Sequence, residues 1–157
     1  NQGRPQARTL VLREYGDDLA LYINASSPKW REIAAGASIQ TYWPSVELQY
    51  RMQVRMTPLP AKHVSESWQF RPTAPKRMDW LYQTYPQSSD IGKRPSLLQA
   101  FDESETPDPL VAPESAKGML LHPMQIERLD LNQENGVHDR VRYTASADGW
   151  SRTTLVP

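Results

Sequence analysis

The sequence predicts a mainly β (α+β) fold, a small antiparallel barrel with covering helices. Apolar and polar residues alternate strictly from Val46 to Met56, which is the period of a strand with one buried face. Strand patterns follow one another without a regular strand–helix alternation, so a parallel sheet is not expected. A closed antiparallel arrangement suits such a chain. The 157 residues fit one domain, and we expect a single domain over 1–157.

The first third of the chain predicts a hairpin followed by a short helix. Strand patterns over 8–15 and 19–24 flank Gly16-Asp17-Asp18, a segment of hairpin-turn length. Pro28 suits the first position of a helix, and Gly36 can end that helix.

The remainder of the chain predicts helices in the middle and strands at the end. Trp43, which precedes a proline, is expected to end a strand. An acidic, proline-rich surface loop is expected over 102–115, after the last predicted helix. We expect helices over 61–70, 76–85 and 94–101, and strands over 124–131, 138–145 and 150–157.

The composition argues against several classes of function. The chain has 18 basic and 18 acidic residues and a formal net charge of zero, so no overall field favours nucleic acid or a membrane surface. It contains no cysteine, which rules out disulfides and thiolate chemistry and is compatible with the cytoplasm, where we expect the protein. No apolar run approaches the roughly 20 residues of a membrane span.

Local motifs give little chemistry by themselves. His63, His122 and His138 show no paired spacing, so no metal site is expected. Several polar residues stand on predicted strands, and each taken singly is typical of a solvated surface. Lys29 is unusual, because a cation in the first turn of a helix opposes the helix dipole and a bound anion would remove that conflict.

Six segments together resemble one known family along nearly the whole chain. They are "GRPQARTLVLREY", "LYINASSPK", "YWPSVELQYRM", "FRPTAPKRMDW", "PQSSDI" and the closing "QIERLDLNQENGVHDRVRYTASADGWSRTTLVP". The sequence resembles the pyridoxine/pyridoxamine 5′-phosphate oxidase family, the FMN-binding split barrels. The closing segment is the most specific, because HDR, a tyrosine, Gly-Trp and the terminal proline all fall in register with the family pattern.

The resemblance implies an FMN cofactor held between the two subunits of a homodimer. Arg8 and Lys29 would bind the flavin phosphate, and Gln49 would meet the ring edge. Gln87 and Arg140 would reach a flavin held mainly by the partner chain. The implied cofactor positions are Arg8, Leu10, Val11, Arg13, Tyr22, Ile23, Ser27, Lys29, Gln49, Gln87 and Arg140, and the implied substrate positions are Arg13, Arg71 and His138.

Departures from the family pattern concentrate on the substrate side. The family's tyrosine four residues before Arg71 falls at Ser67, its serine four residues after falls at Pro75, and an arginine used on the substrate falls at Gly136. Cofactor-side positions are mostly kept. The resemblance therefore implies an FMN-dependent oxidoreductase with an altered pocket, acting on a small organic substrate such as a B6 vitamer or another heterocycle, with catalytic residues unassigned.

Two alternatives stay open. One is a non-catalytic flavin- or haem-binding protein of the same fold, with His63, His122 or His138 as axial ligands. The other is a barrel that has lost cofactor binding, which the joint presence of Arg8, Lys29, Gln49 and Arg140 disfavours. The family pattern also leads us to expect a helix and a strand before the first residue.

Overall fold

The computed structural model describes residues 4–33 and 36–157. They fall into two compact units. The first unit takes in the chain up to Glu32 and Pro58–Leu120, and the second takes in Ile33–Thr57 and Leu121–Pro157. The expectation of a single domain stays a prediction. No helix in the described part of the chain is long and apolar enough to cross a membrane.

The first unit combines a hairpin with four helices. Its elements are β1 (Arg13–Tyr15), β2 (Asp18–Asn24), α1 (Pro28–Glu32), α2 (Ala61–Gln69), α3 (Thr73–Thr84), α4 (Arg94–Glu103) and the beginning of β5 (Ala116–Asp130).

The predicted hairpin forms, but its first strand is short. β1 pairs antiparallel with β2 from Arg13↔Ala20 to Tyr15↔Asp18. Gly16 supplies the positive φ of +59° that the turn requires. The prediction of a strand over 8–15 is wrong for residues 8–12, because strand pairing with β2 begins at Arg13. An apolar pattern alone does not supply the hydrogen-bonding neighbour that a strand needs.

The first unit packs α2 and β2 around an apolar centre. Ala20, Leu59 and Val64 form a buried cluster. Trp68 follows Val64 by one helical turn, so the two share a face of α2, and Trp68 is 2% exposed. The helices predicted over 61–70 and 94–101 are confirmed as α2 and α4.

Helix α3 begins three residues before its predicted start at residue 76. Pro75 occupies its first turn, where a missing N–H costs nothing because those groups have no intrahelical partner. The predicted start is therefore wrong, since a proline in the first turn does not interrupt a helix.

The second unit consists of antiparallel strands. Its elements are β3 (Ala37–Trp43), a 3₁₀ turn (Pro44–Val46), β4 (Leu48–Pro58, whose last residue belongs to the first unit), the rest of β5, β6 (Asp139–Ser146) and β7 (Gly149–Leu155). β3 pairs with β4, β5 with β6, and β6 with β7, all antiparallel. Within the second unit β5 also lies beside β4, so its strands follow the order β3-β4-β5-β6-β7.

The alternation that predicted β4 is confirmed. Met52 and Val54 are buried, while Arg51, Gln53 and Arg55 are exposed. The strand begins at residue 48 rather than 46, because a 3₁₀ turn precedes it and residue 47 adopts a left-handed φ of +51°. Trp43 ends β3 as expected, although the rest of β3 and the first eight residues of β5 were not predicted.

Candidate functional site

A cavity of about 960 Å³ lies within the first unit. Its walls come from the segment before β1, from β2, α1, α2 and α3, and from the residues that follow α3. Eight of the residues singled out in the sequence line it: Leu10, Val11, Arg13, Tyr22, Ile23, Lys29, Arg71 and Gln87.

Lys29 projects from α1 and is buried, with 8% of its surface exposed. Lys29 is therefore not a solvated surface residue. The ammonium Nζ donates hydrogen bonds to Ser27 Oγ at 2.8 Å and to Gln87 Oε1 at 3.0 Å. Both acceptors are neutral, so the cation has no counter-ion among these direct partners. This arrangement suits an anion.

The electrostatics around Lys29 support the same interpretation. Burial lowers the pKa of the Lys29 ammonium, the positive charge of Arg8 lowers this pKa further, and Glu32 opposes both. Arg8 does not line the cavity, but its guanidinium binds Glu32 Oε2 at 3.2 Å. Two cations thus act at one end of the cavity, where an anion would relieve their repulsion.

Gln87 lines the cavity next to Lys29. Its backbone N–H donates to Ser26 Oγ at 3.0 Å, which holds the segment after α3 against the start of α1. Ser27 is 1% exposed. The residues of this end are therefore held in place by bonds between segments 58 or more positions apart in the chain.

A buried carboxylate, Asp79, also lines the cavity and was not identified from the sequence. Its Oδ2 accepts hydrogen bonds from Trp68 Nε1 at 2.8 Å and from Arg71 Nη1, and its Oδ1 accepts one from Asn24 Nδ2 at 3.2 Å. The signal in the sequence was an aspartate inside the apolar run "MDWL" of a helix, since buried acids are rare unless they are paired.

Tyr82 lines the cavity beside this acid. Burial raises the pKa of the Tyr82 phenol, and the charge of Asp79 adds to the rise. Hydrogen bonding with Gln87 and the charge of Arg71 act in the opposite direction on this pKa. Tyr82 therefore stays a neutral donor and acceptor at ordinary pH.

Two of the three altered substrate-side positions, Ser67 and Pro75, line the cavity, and Gly136 does not. Ser67 Oγ and the Tyr22 hydroxyl are hydrogen-bonded to each other at 2.7 Å. Pro75 carries neither a side-chain nor a backbone donor. This part of the cavity is therefore poorer in donors than the family pattern implies.

Three predicted residues belong to the second unit. Gln49 Oε1 accepts a hydrogen bond from Gln40 Nε2 at 3.1 Å. Arg140 donates to Glu127 Oε2 at 2.8 Å, and this bond is the main cause of the lowered pKa of the Glu127 carboxyl. His138 lies exposed just before β6. Their predicted roles at a flavin or a substrate stay predictions.

The three histidines lie apart from the cavity, and their predicted role as haem ligands stays a prediction. His63 packs edge-on against Tyr15 at 5.2 Å between ring centroids, and His122 Nε2 lies 2.8 Å from Thr57 Oγ1. None of the three lines the cavity. No group of three or more histidines, cysteines or acids that could hold a metal occurs among residues 4–33 and 36–157.

Two curated relatives match almost the whole chain. A dihydrophenazinedicarboxylate synthase from Pseudomonas chlororaphis is 31% identical over 163 residues, covering all of this chain and 71% of the relative. A pyridoxine/pyridoxamine 5′-phosphate oxidase from Pseudomonas entomophila is 30% identical over 161 residues, covering 99% and 73%. No protein-family model matches the chain.

Two solved structures share the fold. A pyridoxamine 5′-phosphate oxidase-related, FMN-binding protein from Nostoc punctiforme matches with a TM-score of 0.80 and 26% identity, over 99% of this chain and 83% of the other. PhzG from Burkholderia lata, solved with tetrahydrophenazine-1-carboxylic acid, matches with a TM-score of 0.82 and 23% identity, over 99% and 77%. The predicted fold, a mainly antiparallel split barrel with helices, is confirmed.

Proposed function

Because the chain belongs to the pyridoxine/pyridoxamine 5′-phosphate oxidase-like family of FMN-binding proteins, we propose that it binds FMN in the cavity of the first unit. The observation that carries the proposal is the buried Lys29 ammonium, whose two hydrogen-bond partners are neutral. A phosphate is the ligand that this ammonium fits, because charge-assisted bonds offset the desolvation of both ions.

The residues present fit the phosphate end of FMN. Lys29 and Arg8 supply positive charge, and Ser27 and Gln87 fix the position of the Lys29 ammonium. Tyr22 and Ile23 of β2 line the cavity beside them. These side chains bind and orient the cofactor, and the apolar walls exclude water from it.

Other positions in the proposed site come from the second unit. We propose a homodimer in which Arg140 and Gln49 approach the flavin ring. Gln87 is bonded to Lys29 of its own chain, so we place it at the phosphate end of that chain's cavity. A cation near the ring stabilises the negative charge of a reduced flavin, and we propose this role for Arg140.

The activity that we propose is an FMN-dependent oxidation of a small nitrogen heterocycle. Bound FMN supplies the hydride acceptor, and the protein supplies position and field. One relative is named for a dihydrophenazine dicarboxylate and others for pyridoxine and pyridoxamine phosphates, which are all nitrogen heterocycles. Apolar side chains such as Leu10, Phe70 and Met78 line the cavity together with charged groups, so a ring can pack against its apolar part while polar groups fix its orientation.

The test is anaerobic reduction of the loaded protein. Protein carrying FMN is mixed without oxygen with reduced nitrogen heterocycles and with B6 vitamers, and the flavin absorption is followed. Bleaching that is faster than for unbound FMN at the same concentration supports an oxidoreductase. A protein that holds FMN but whose flavin stays oxidised with every donor contradicts the catalytic part of the proposal and leaves FMN binding standing.

A further inference from the structure

The Arg71 end of the cavity is electrically balanced by the protein itself. Arg71 stands between α2 and α3 and donates from Nη1 to Asp79 Oδ2. The Arg71 side chain is 38% exposed, whereas that of Asp79 is 5% exposed. The guanidinium is therefore accessible from the cavity, while a buried carboxylate already balances its charge.

Asp79 cannot easily release Arg71. Trp68 and Asn24 also donate to this carboxylate, and Asn24 is bonded in turn to Ser115 Oγ at 3.1 Å. Three donors from β2, α2 and the α2–α3 connection thus hold the acid in one place. A carboxylate fixed in this way competes permanently with any anionic ligand for the guanidinium.

The neighbours of Arg71 add little for an anion. Ser67 is engaged with Tyr22 at 2.7 Å, and Pro75 has no donor. Phe70, Pro72 and Met78 line the same cavity with apolar groups. A phosphate dianion placed against Arg71 would lose its hydration and meet a guanidinium that is already paired with Asp79, which is unfavourable.

We propose that Asp79 sets substrate specificity by neutralising Arg71, so that the substrate carries no phosphate group and places an uncharged ring edge at this end of the cavity. The inference rests on the proposed function, because it takes this cavity as the substrate site. Asp79 is a positioning residue, since it acts on the ligand through Arg71.

The experiment uses pyridoxine and pyridoxine 5′-phosphate, a matched pair that differs by the phosphate ester. Calorimetric titration of the FMN-loaded protein gives both dissociation constants. We expect the wild type to bind the phosphate ester no more than about threefold tighter than the alcohol, because a paired cation offers it little. Asp79→Asn keeps the shape and unpairs one positive charge, so it should bind the ester at least about tenfold tighter than the wild type does.

Two further variants separate specificity from structure. Combining Asp79→Asn with Arg71→Gln should abolish the gain, because the guanidinium that binds the ester is gone. Asp102→Asn is the matched control: it makes the same change of net charge on α4 at an exposed residue that does not line the cavity. This control should leave the dissociation constants for pyridoxine and for pyridoxine 5′-phosphate within about threefold of the wild-type values.

The inference is overturned if the wild type binds the phosphate ester at least about tenfold tighter than pyridoxine, or if folded Asp79→Asn shows no gain. If Asp79→Asn does not fold, Arg71→Gln provides the test. A loss of ester affinity of about tenfold in this variant also overturns the inference, because it would mean that Arg71 binds the phosphate in the wild type. A wild type that holds no FMN contradicts the proposed function alone, because the gain in ester affinity from wild type to Asp79→Asn can still be measured on the protein as purified, with Lys29 unchanged in both proteins.

Discussion

Replacing Lys29 by methionine should damage FMN binding and spare the FMN-free fold. Methionine is close in length and apolar, so it fits the buried position without the charge. Burial lowers the pKa of the Lys29 ammonium, which means that its charged form is less favourable in the folded protein than in water. Removing the charge therefore removes an unfavourable contribution to folding.

The magnitude follows from the bonds that Lys29 makes. Methionine leaves Ser27 Oγ and Gln87 Oε1 without this donor, a loss of about 1 kcal/mol each that the relief of the buried charge offsets. The free energy of unfolding without FMN should thus change by about 1 kcal/mol or less. In the FMN complex one charge-assisted bond of about 1.5–3 kcal/mol is lost, which raises the dissociation constant about 10- to 100-fold.

The assay compares FMN with riboflavin, which lacks the phosphate, by quenching of flavin fluorescence. Lys29→Met should weaken FMN binding as stated and leave riboflavin binding within about threefold. Lys62→Met is the control, because Lys62 is an exposed lysine of α2. If Lys29→Met lost several kcal/mol of stability and kept the wild-type preference for FMN over riboflavin, Lys29 would be a structural residue and the assignment of the phosphate end would be refuted.

Three further predictions concern stability. Asp79→Ala leaves buried donors unpaired and should lower the free energy of unfolding by about 3 kcal/mol in chemical denaturation; an unchanged midpoint would contradict the buried network. Gly118→Ala would bring its Cβ within 2.7 Å of Leu59 Cδ1 and should cost about 1–3 kcal/mol by the same measurement, whereas a neutral result would mean that Leu59 moves at no cost. The pKa of the Glu127 carboxyl lies below its ordinary 4.5, so the stability it contributes is present above that value and is lost as the pH falls through the lowered pKa. Arg140→Gln should reduce this acid-dependent loss in urea titrations across that range, and an identical pH dependence in both proteins would contradict the role of the Arg140 bond.

Patterns that depend on a residue's immediate neighbours predicted the fold well. The alternation along β4 follows from the pleat of a strand, and α2 follows from the four-residue spacing of Val64 and Trp68. The segment 8–12 failed because a strand depends on a neighbour that the local pattern does not contain.

The cavity was only partly predictable. The family resemblance identified Lys29, although its burial follows from contacts with residues far along the chain, such as Gln87. Asp79 was missed because its three donors come from Asn24, Trp68 and Arg71, which only the fold brings to one place. Spacing along a chain reveals neither burial nor partners of this kind.

The most direct test of the central claim is the absorption spectrum of the purified protein after loading with excess FMN and desalting, measured beside Lys29→Met. We expect flavin bands to stay with the wild type in a ratio approaching one FMN per chain, and we expect the variant to lose most of its flavin on the same column. A wild type that emerges colourless, or a variant that retains as much flavin, would contradict the claim that Lys29 and its cavity hold the cofactor.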